Sequence, residues 1–183
     1  MPITSSDLVW RLSVTSGSAG NSTAQPDPLL SLGKYISTTA LTAGLHKLFD
    51  KISGARNAAS EVDYRCVFVL NNHATLTLQN ATVWLQGGDP AGGALVAIAV
   101  DSTAASAKGS STAQALTASS RTAPGSPITS LAYSAPTTAA AGIAFGNLAP
   151  GACRAVWVRR SANNSSAVAA ETVTLAVTGD TAA

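Results

Sequence analysis

The stretch Val62–Leu85 reads V-D-Y-R-C-V-F-V-L-N-N-H-A-T-L-T-L-Q-N-A-T-V-W-L and holds the densest run of β-branched and aromatic residues in the chain. Asn71-Asn72-His73 divides it into two apolar halves, which predicts a strand, a tight turn and a returning strand, with room for a second break at Gln79-Asn80. In the first half, Tyr64, Cys66, Phe68 and Leu70 share one face, while Arg65, Val67 and Val69 share the other. A strand apolar on both faces belongs inside a sheet, with one face in the core and the other covered.

Working outward, Asp7–Thr15 alternates with period two, so Leu8, Trp10, Leu12 and Val14 point one way in a half-buried first strand. Leu32–Thr38, Ala94–Asp101, Ser130–Tyr133 and Gly142–Leu148 read as further strands. Ala149-Pro150-Gly151 predicts a turn, because Pro presets φ and Gly supplies a positive φ. It leads into a strong strand, Ala152–Arg160, expected like Val62–Leu70 to lie inside a sheet. Glu171–Thr178 alternates with Val173, Leu175 and Val177 facing inward, and Gly179–Ala183 is a tail. Leu41–Ile52 has apolar residues at spacings of three and four, which predicts a turn or two of helix plugging one end of the core, followed by a loop at Ser53–Ser60.

Short strands with turn signals every ten residues or so describe an all-β chain, an immunoglobulin-like or jelly-roll β-sandwich with one short helix. The expectation is a single domain over 1–183 with flexible segments at 1–6, 16–28 and 102–127. Ser102–Pro127 is low-complexity Ala/Ser/Thr. Two readings stand for it: a mobile loop, or an arm that orders against a neighbour.

Charged residues are 11% of the chain against roughly 25% in ordinary soluble domains. Few charges protect a monomer poorly against association, which points toward life in an assembly. The net charge of +2 supplies no basic field for nucleic acid. The longest apolar run, Ala94–Val100, is far below the ~18 residues of a membrane span. Met1–Leu12 lacks the basic start and continuous apolar stretch of a secretory signal, so a soluble product made in the cytosol is expected.

The residues offer little catalytic chemistry. His46 and His73 are the only histidines, no G-x-S-x-G elbow is present, and two Cys with two His at these spacings make no zinc motif. The expectation is no catalytic residue, no cofactor and no metal. Cys66 and Cys153 lie on two strong strands and read either as an inter-sheet disulfide or as two small buried hydrophobes, and a cytosolic origin favours the second. Arg154, Arg159 and Arg160 read either as pairing with a partner's carboxylates or as solvated strand ends. Trp10, Trp84 and Trp157 each sit on a strand, where a core role outweighs an exposed sugar-binding line.

Several stretches together resemble small virion structural proteins of tailed bacteriophages. They are D-L-V-W-R-L-S (Asp7–Ser13), G-S-A-G-N-S (Gly17–Ser22), L-F-D-K-I-S-G (Leu48–Gly54), D-Y-R-C-V-F-V-L-N-N-H-A-T-L-T-L (Asp63–Leu78), A-P-T-T (Ala135–Thr138), C-R-A-V-W-V-R-R (Cys153–Arg160) and V-T-G-D-T-A-A (Val177–Ala183). They span nearly the whole chain apart from Ser102–Gly125. The resemblance implies a non-enzymatic shell or tail component, foremost a capsid decoration (cement) protein. Such a protein binds and stabilises the major capsid protein shell and binds copies of itself, a trimer being one such arrangement, with no nucleic acid and no membrane among its partners. Its implied location is the virion, assembled in the host bacterial cytoplasm. The alternative is a tail, baseplate or fibre-associated module contacting host surface glycans.

Overall fold

In a computed structural model, the structure describes residues 2–17, 23–90, 92–109, 114–117, 131–164 and 171–181. The chain is all-β. Its strands are β1 (Leu8–Val14), β2 (Gly33–Ala40), β3 (Val62–Asn71), β4 (Leu78–Gln86), β5 (Leu95–Val100), β6 (Ser106–Ala107), β7 (Gln114–Thr117), β8 (Ile143–Leu148), β9 (Ala152–Ser161) and β10 (Thr174–Thr181). A seven-stranded sheet runs β5-β9-β3-β1-β2-β7, with β6 also paired to β9, and a three-stranded sheet runs β10-β4-β8.

Strands β3 and β9 form the longest ladder, from Val62↔Ser161 to Leu70↔Cys153, and both are interior strands as the two-faced apolar pattern predicts. Each face of β3 meets a core. Val67 and Val69 join Leu12, Val83, Leu85, Val96, Phe145 and Val156 between the two sheets. Cys66, Phe68 and Leu70 join Ile36, Ala155 and Trp157 on the opposite side. Because Ile36 of β2 reaches this second core, the large sheet curls there into a half-barrel. Trp157 is 0% exposed, and its Nε1 donates to Asp101 Oδ2 at 2.7 Å.

Several expectations are corrected. Val62–Leu85 is not a hairpin: β3 and β4 lie in different sheets, and Asn72–Thr77 is a crossing between them. The reason is occupancy, since β1 and β9 already take both edges of β3. The crossing is pinned by side chains. Asn71 Nδ2 donates to the carbonyls of Leu76 and Leu148, and His73 Nδ1 accepts from the amides of Thr75 and Leu76. The break at Gln79-Asn80 is real but smaller, a bulge inside β4 with Asn80 at φ +50°. Opposite it, Gly179 belongs to β10 rather than to a tail, and a Cβ there would lie 2.6 Å from Gln79 O.

Leu41–Ile52 is not a helix. Gly44 at φ +131° and His46 at φ +57° turn the backbone out of the right-handed region. The helix, α1 (Gly54–Ala58), falls instead in the expected loop, where the Ser53 side chain caps it by accepting from Arg56 N. Ser130–Tyr133 forms no strand among the described residues; Ser134 makes a lone bridge to Ile98. The segment 102–127 contributes β6 and β7, while 110–113 and 118–130 lie outside the described residues. Of 16–28, residues 18–22 also lie outside them, and Thr23 O and Gln25 N bond to β2 at Thr38 N and Thr39 Oγ1. In the first segment, Ile3 N donates to Thr181 Oγ1. The Ala149-Pro150-Gly151 turn forms as its residues require, with Gly151 at φ +71° and Ala152 N donating to Ala149 O.

Candidate functional site

The three-stranded sheet is narrower than the sheet it covers, and on the β10 side the chain fills the difference with a strap, residues 41–53. Leu41, Leu48 and Phe49 pack against the inter-sheet core, and Leu41 N donates to Trp10 O at 2.8 Å. The strap therefore plugs the core as the spacing suggested, but from an irregular backbone. Leu45, which a helix would have buried, stands 51% exposed.

The strap's far end is fixed by charge. Arg56 of α1 donates through Nη2 to both oxygens of Asp63 (2.8 and 2.7 Å), through Nε to Glu61 (2.7 Å) and through Nη1 to Asp50 (2.9 Å). Arg160 of β9 donates through Nη2 to Asp63 (2.6 Å) and Asp50 (3.2 Å), and through Nη1 to the Asp50 carbonyl (2.6 Å). The Phe49 ring lies under the guanidiniums of Arg65 (5.3 Å) and Arg160 (4.6 Å). Arg56, Arg65 and Arg160 thus balance Asp50, Glu61 and Asp63. Burial works against the Arg56 cation, yet the Glu61 hydrogen bond and the Asp63 and Asp50 charges outweigh it and raise its pKa. Arg65 has less support, and burial lowers it.

Between this strap and the start of β10 opens a cleft of about 900 Å³, within the size range of ligand sites. Trp10, Leu48, Val158, Val173 and Leu175 give it an apolar lining, and His46, Lys47 and Lys51 stand along its strap side. Lys47 and Lys51 are exposed, and no carboxylate pairs with either among the described residues.

The residues singled out in the sequence are dispersed. His46 is at the cleft, while His73 pins the β3–β4 crossing with its Nδ1 lone pair engaged by backbone amides. Cys66 and Cys153 are free and buried. They sit on adjacent strands of one sheet, with Cys153 opposite Leu70 rather than Cys66. That register separates their Cα atoms by roughly 13 Å along the strand, beyond disulfide reach. Burial pushes the Cys66 thiol well up and Cys153 up to about 12, so neither is a ready nucleophile.

The arginines are not solvated ends. Arg160 is in the network above, Arg154 donates to the carbonyls of Phe145 and Asp101, and Arg159 lies over the Tyr133 ring. Trp157 is core, whereas Trp10 and Trp84 are half-buried. Sequence reasoning did not single out Lys47, Lys51, Arg56 or Asp63. Arg56–Asp63 is a local pair that carries no motif, and Arg160 meets its carboxylates only through the fold.

No group of three or more His, Cys, Asp or Glu among the described residues could hold a metal ion. No helix among them is long and apolar enough to cross a membrane. The class the structure defines is an all-β sandwich with a cleft beside an edge strand. No protein-family model, curated protein or solved structure matches the chain.

Proposed function

We propose that this chain is a non-enzymatic virion structural protein of a tailed bacteriophage, a capsid decoration protein that binds the shell of the major capsid protein and copies of itself. The observation that carries this reading is the ordered set of stretches from Asp7–Ser13 to Val177–Ala183 that resemble such proteins. Two features support it. With 11% charged residues, the chain engages Arg56, Arg154 and Arg160 within its own fold, which leaves a lightly charged exterior suited to packing against neighbours. The cleft also offers apolar contact area and an edge strand, means of binding rather than of bond-breaking.

The test is location and copy number on the particle. Antibody labelling and reconstruction of purified virions should find the protein over the whole head surface, and purified protein should rebind particles stripped of it. Label confined to the tail would replace this reading with the tail, baseplate or fibre module. Absence from purified particles would remove both.

A further inference from the structure

We propose that the cleft between the strap and β10 is a docking groove for an extended peptide segment of a partner protein. The segment would alternate apolar and acidic side chains and be held as an added strand on the free edge of β10. The proposal goes beyond the decoration reading, since it states how a partner chain is gripped whatever that partner is.

The first observation is the edge. Among the described residues β10 pairs only with β4, from Thr174↔Gln86 to Thr181↔Leu78, so its other side presents unpaired backbone groups. Thr174–Thr178 contains no proline and no charge, the usual devices that blunt an edge. The second observation is position. Thr172–Leu175 form one wall of the cleft and the strap forms the other, so a strand added to β10 lies across the cleft mouth. Every second side chain of such a strand points the same way as Val173 and Leu175, over the apolar lining at Trp10 and Leu48.

The third observation is charge. Lys47 and Lys51 are exposed on the strap side with no carboxylate partner among the described residues. Two acidic groups also line the cleft: Asp50 is paired with Arg56 and Arg160, and Glu171, on the β10 side, accepts from Ala94 N. The groove is therefore apolar inside and positive along its strap-side rim, which complements carboxylates on an apolar strand. A fatty acid would suit the lining and the lysines but cannot use the row of backbone donors and acceptors along β10. That row is the reason to assign a peptide.

The experiment titrates the whole protein, amide-labelled for NMR, with three probes: a capped heptapeptide of alternating valine and glutamate, the same peptide with lysine for glutamate, and decanoate. The valine–glutamate peptide should give saturable shifts confined to Thr172–Val177 and the strap. The lysine peptide should bind about tenfold more weakly, as two lost ion pairs would give. In the Lys47→Glu/Lys51→Glu variant the preference should reverse, and the variant's own spectrum reports its fold. Because both peptides are first compared on the unaltered protein, the result does not depend on the variant folding. Equal binding of both peptides, shifts centred elsewhere, no saturable shift with either peptide, or saturable shifts with decanoate alone would each overturn the proposal. A protein that decorates particles yet ignores the peptides refutes the groove and leaves the decoration reading standing; the converse result refutes only the latter.

Discussion

β3 and β4 follow one another in the chain and draw on similar residues, yet they occupy different surroundings. β3 has a neighbour on each edge and a core on each face. β4 buries Ala81, Val83 and Leu85 on one face only, and leaves Trp84 half-buried on the outer face of the small sheet. The contrast teaches that an apolar run reports how many of a strand's faces are covered. It does not report which strand lies beside it. Continuous apolarity in Cys66–Leu70 and alternation in Ala81–Leu85 each match the observed burial, while their adjacency in sequence misleads about pairing.

The sharpest way to break this comparison is to empty the second face. Phe68→Ala in β3 and Trp157→Ala in its neighbour β9 should each cost about 3–5 kcal/mol in urea unfolding, with Trp157→Ala also leaving Asp101 Oδ2 without its indole donor. Should Phe68→Ala cost no more than a half-exposed substitution on β4, the half-barrel side of β3 is not a core.

At the start of β3, Asp63 is 3% exposed and receives both Arg56 and Arg160. Asp63→Ala should cost about 1.5–3 kcal/mol by removing the acceptor that two half-buried guanidiniums share, while Asp50 and Glu61 keep their own bonds to them. It should also loosen the strap, which faster amide exchange at Leu48–Ile52 would reveal. Loss of stability without faster strap exchange would mean that the network braces β3 and β9 alone.

A smaller effect separates the two strands by pH. β4 has no ionisable side chain, whereas Cys66 of β3 and Cys153 of neighbouring β9 are buried thiols. Their folded values are raised from 9.0, Cys153 to about 12. The unfolded chain therefore releases their protons first, so this stability is full below about pH 9 and is lost as pH climbs toward about 12. Cys153 should add about 1.4 kcal/mol of destabilisation per pH unit across that window, and Cys66 acts in the same direction. Unfolding measured from pH 8 to 11 should steepen accordingly, and Cys153→Ala should remove one thiol's share of the slope.

The smallest effects belong to the outer surfaces. Trp84→Ala should cost about 1 kcal/mol and Leu45→Ser within about 0.5 kcal/mol, as changes outside the packed interior do. A loss at Trp84 as large as at Trp157 would mean that the outer face of the small sheet is also packed in the isolated protein.

What the sequence by itself determined is local. Period-two alternation located β1 and β10 to within a few residues, and the Ala149-Pro150-Gly151 turn followed from the dihedral preferences of Pro and Gly. The two-sided apolarity of Val62–Leu70 foretold an interior strand. Each of these is legible because its cause lies within a few bonds or one strand length. Tertiary structure decided what depends on competition and distance. β4 pairs with β10 because β3 had no free edge to offer. Leu41–Ile52 gives up the helical arrangement of its leucines for a path that seats Leu48 and Phe49 on the core beside β10. The Arg160 contacts join residues 97 and 110 positions apart, with no periodicity to announce them. The cleft arises the same way, since its walls are a strap and an edge strand that become neighbours only once both sheets have closed on their shared core.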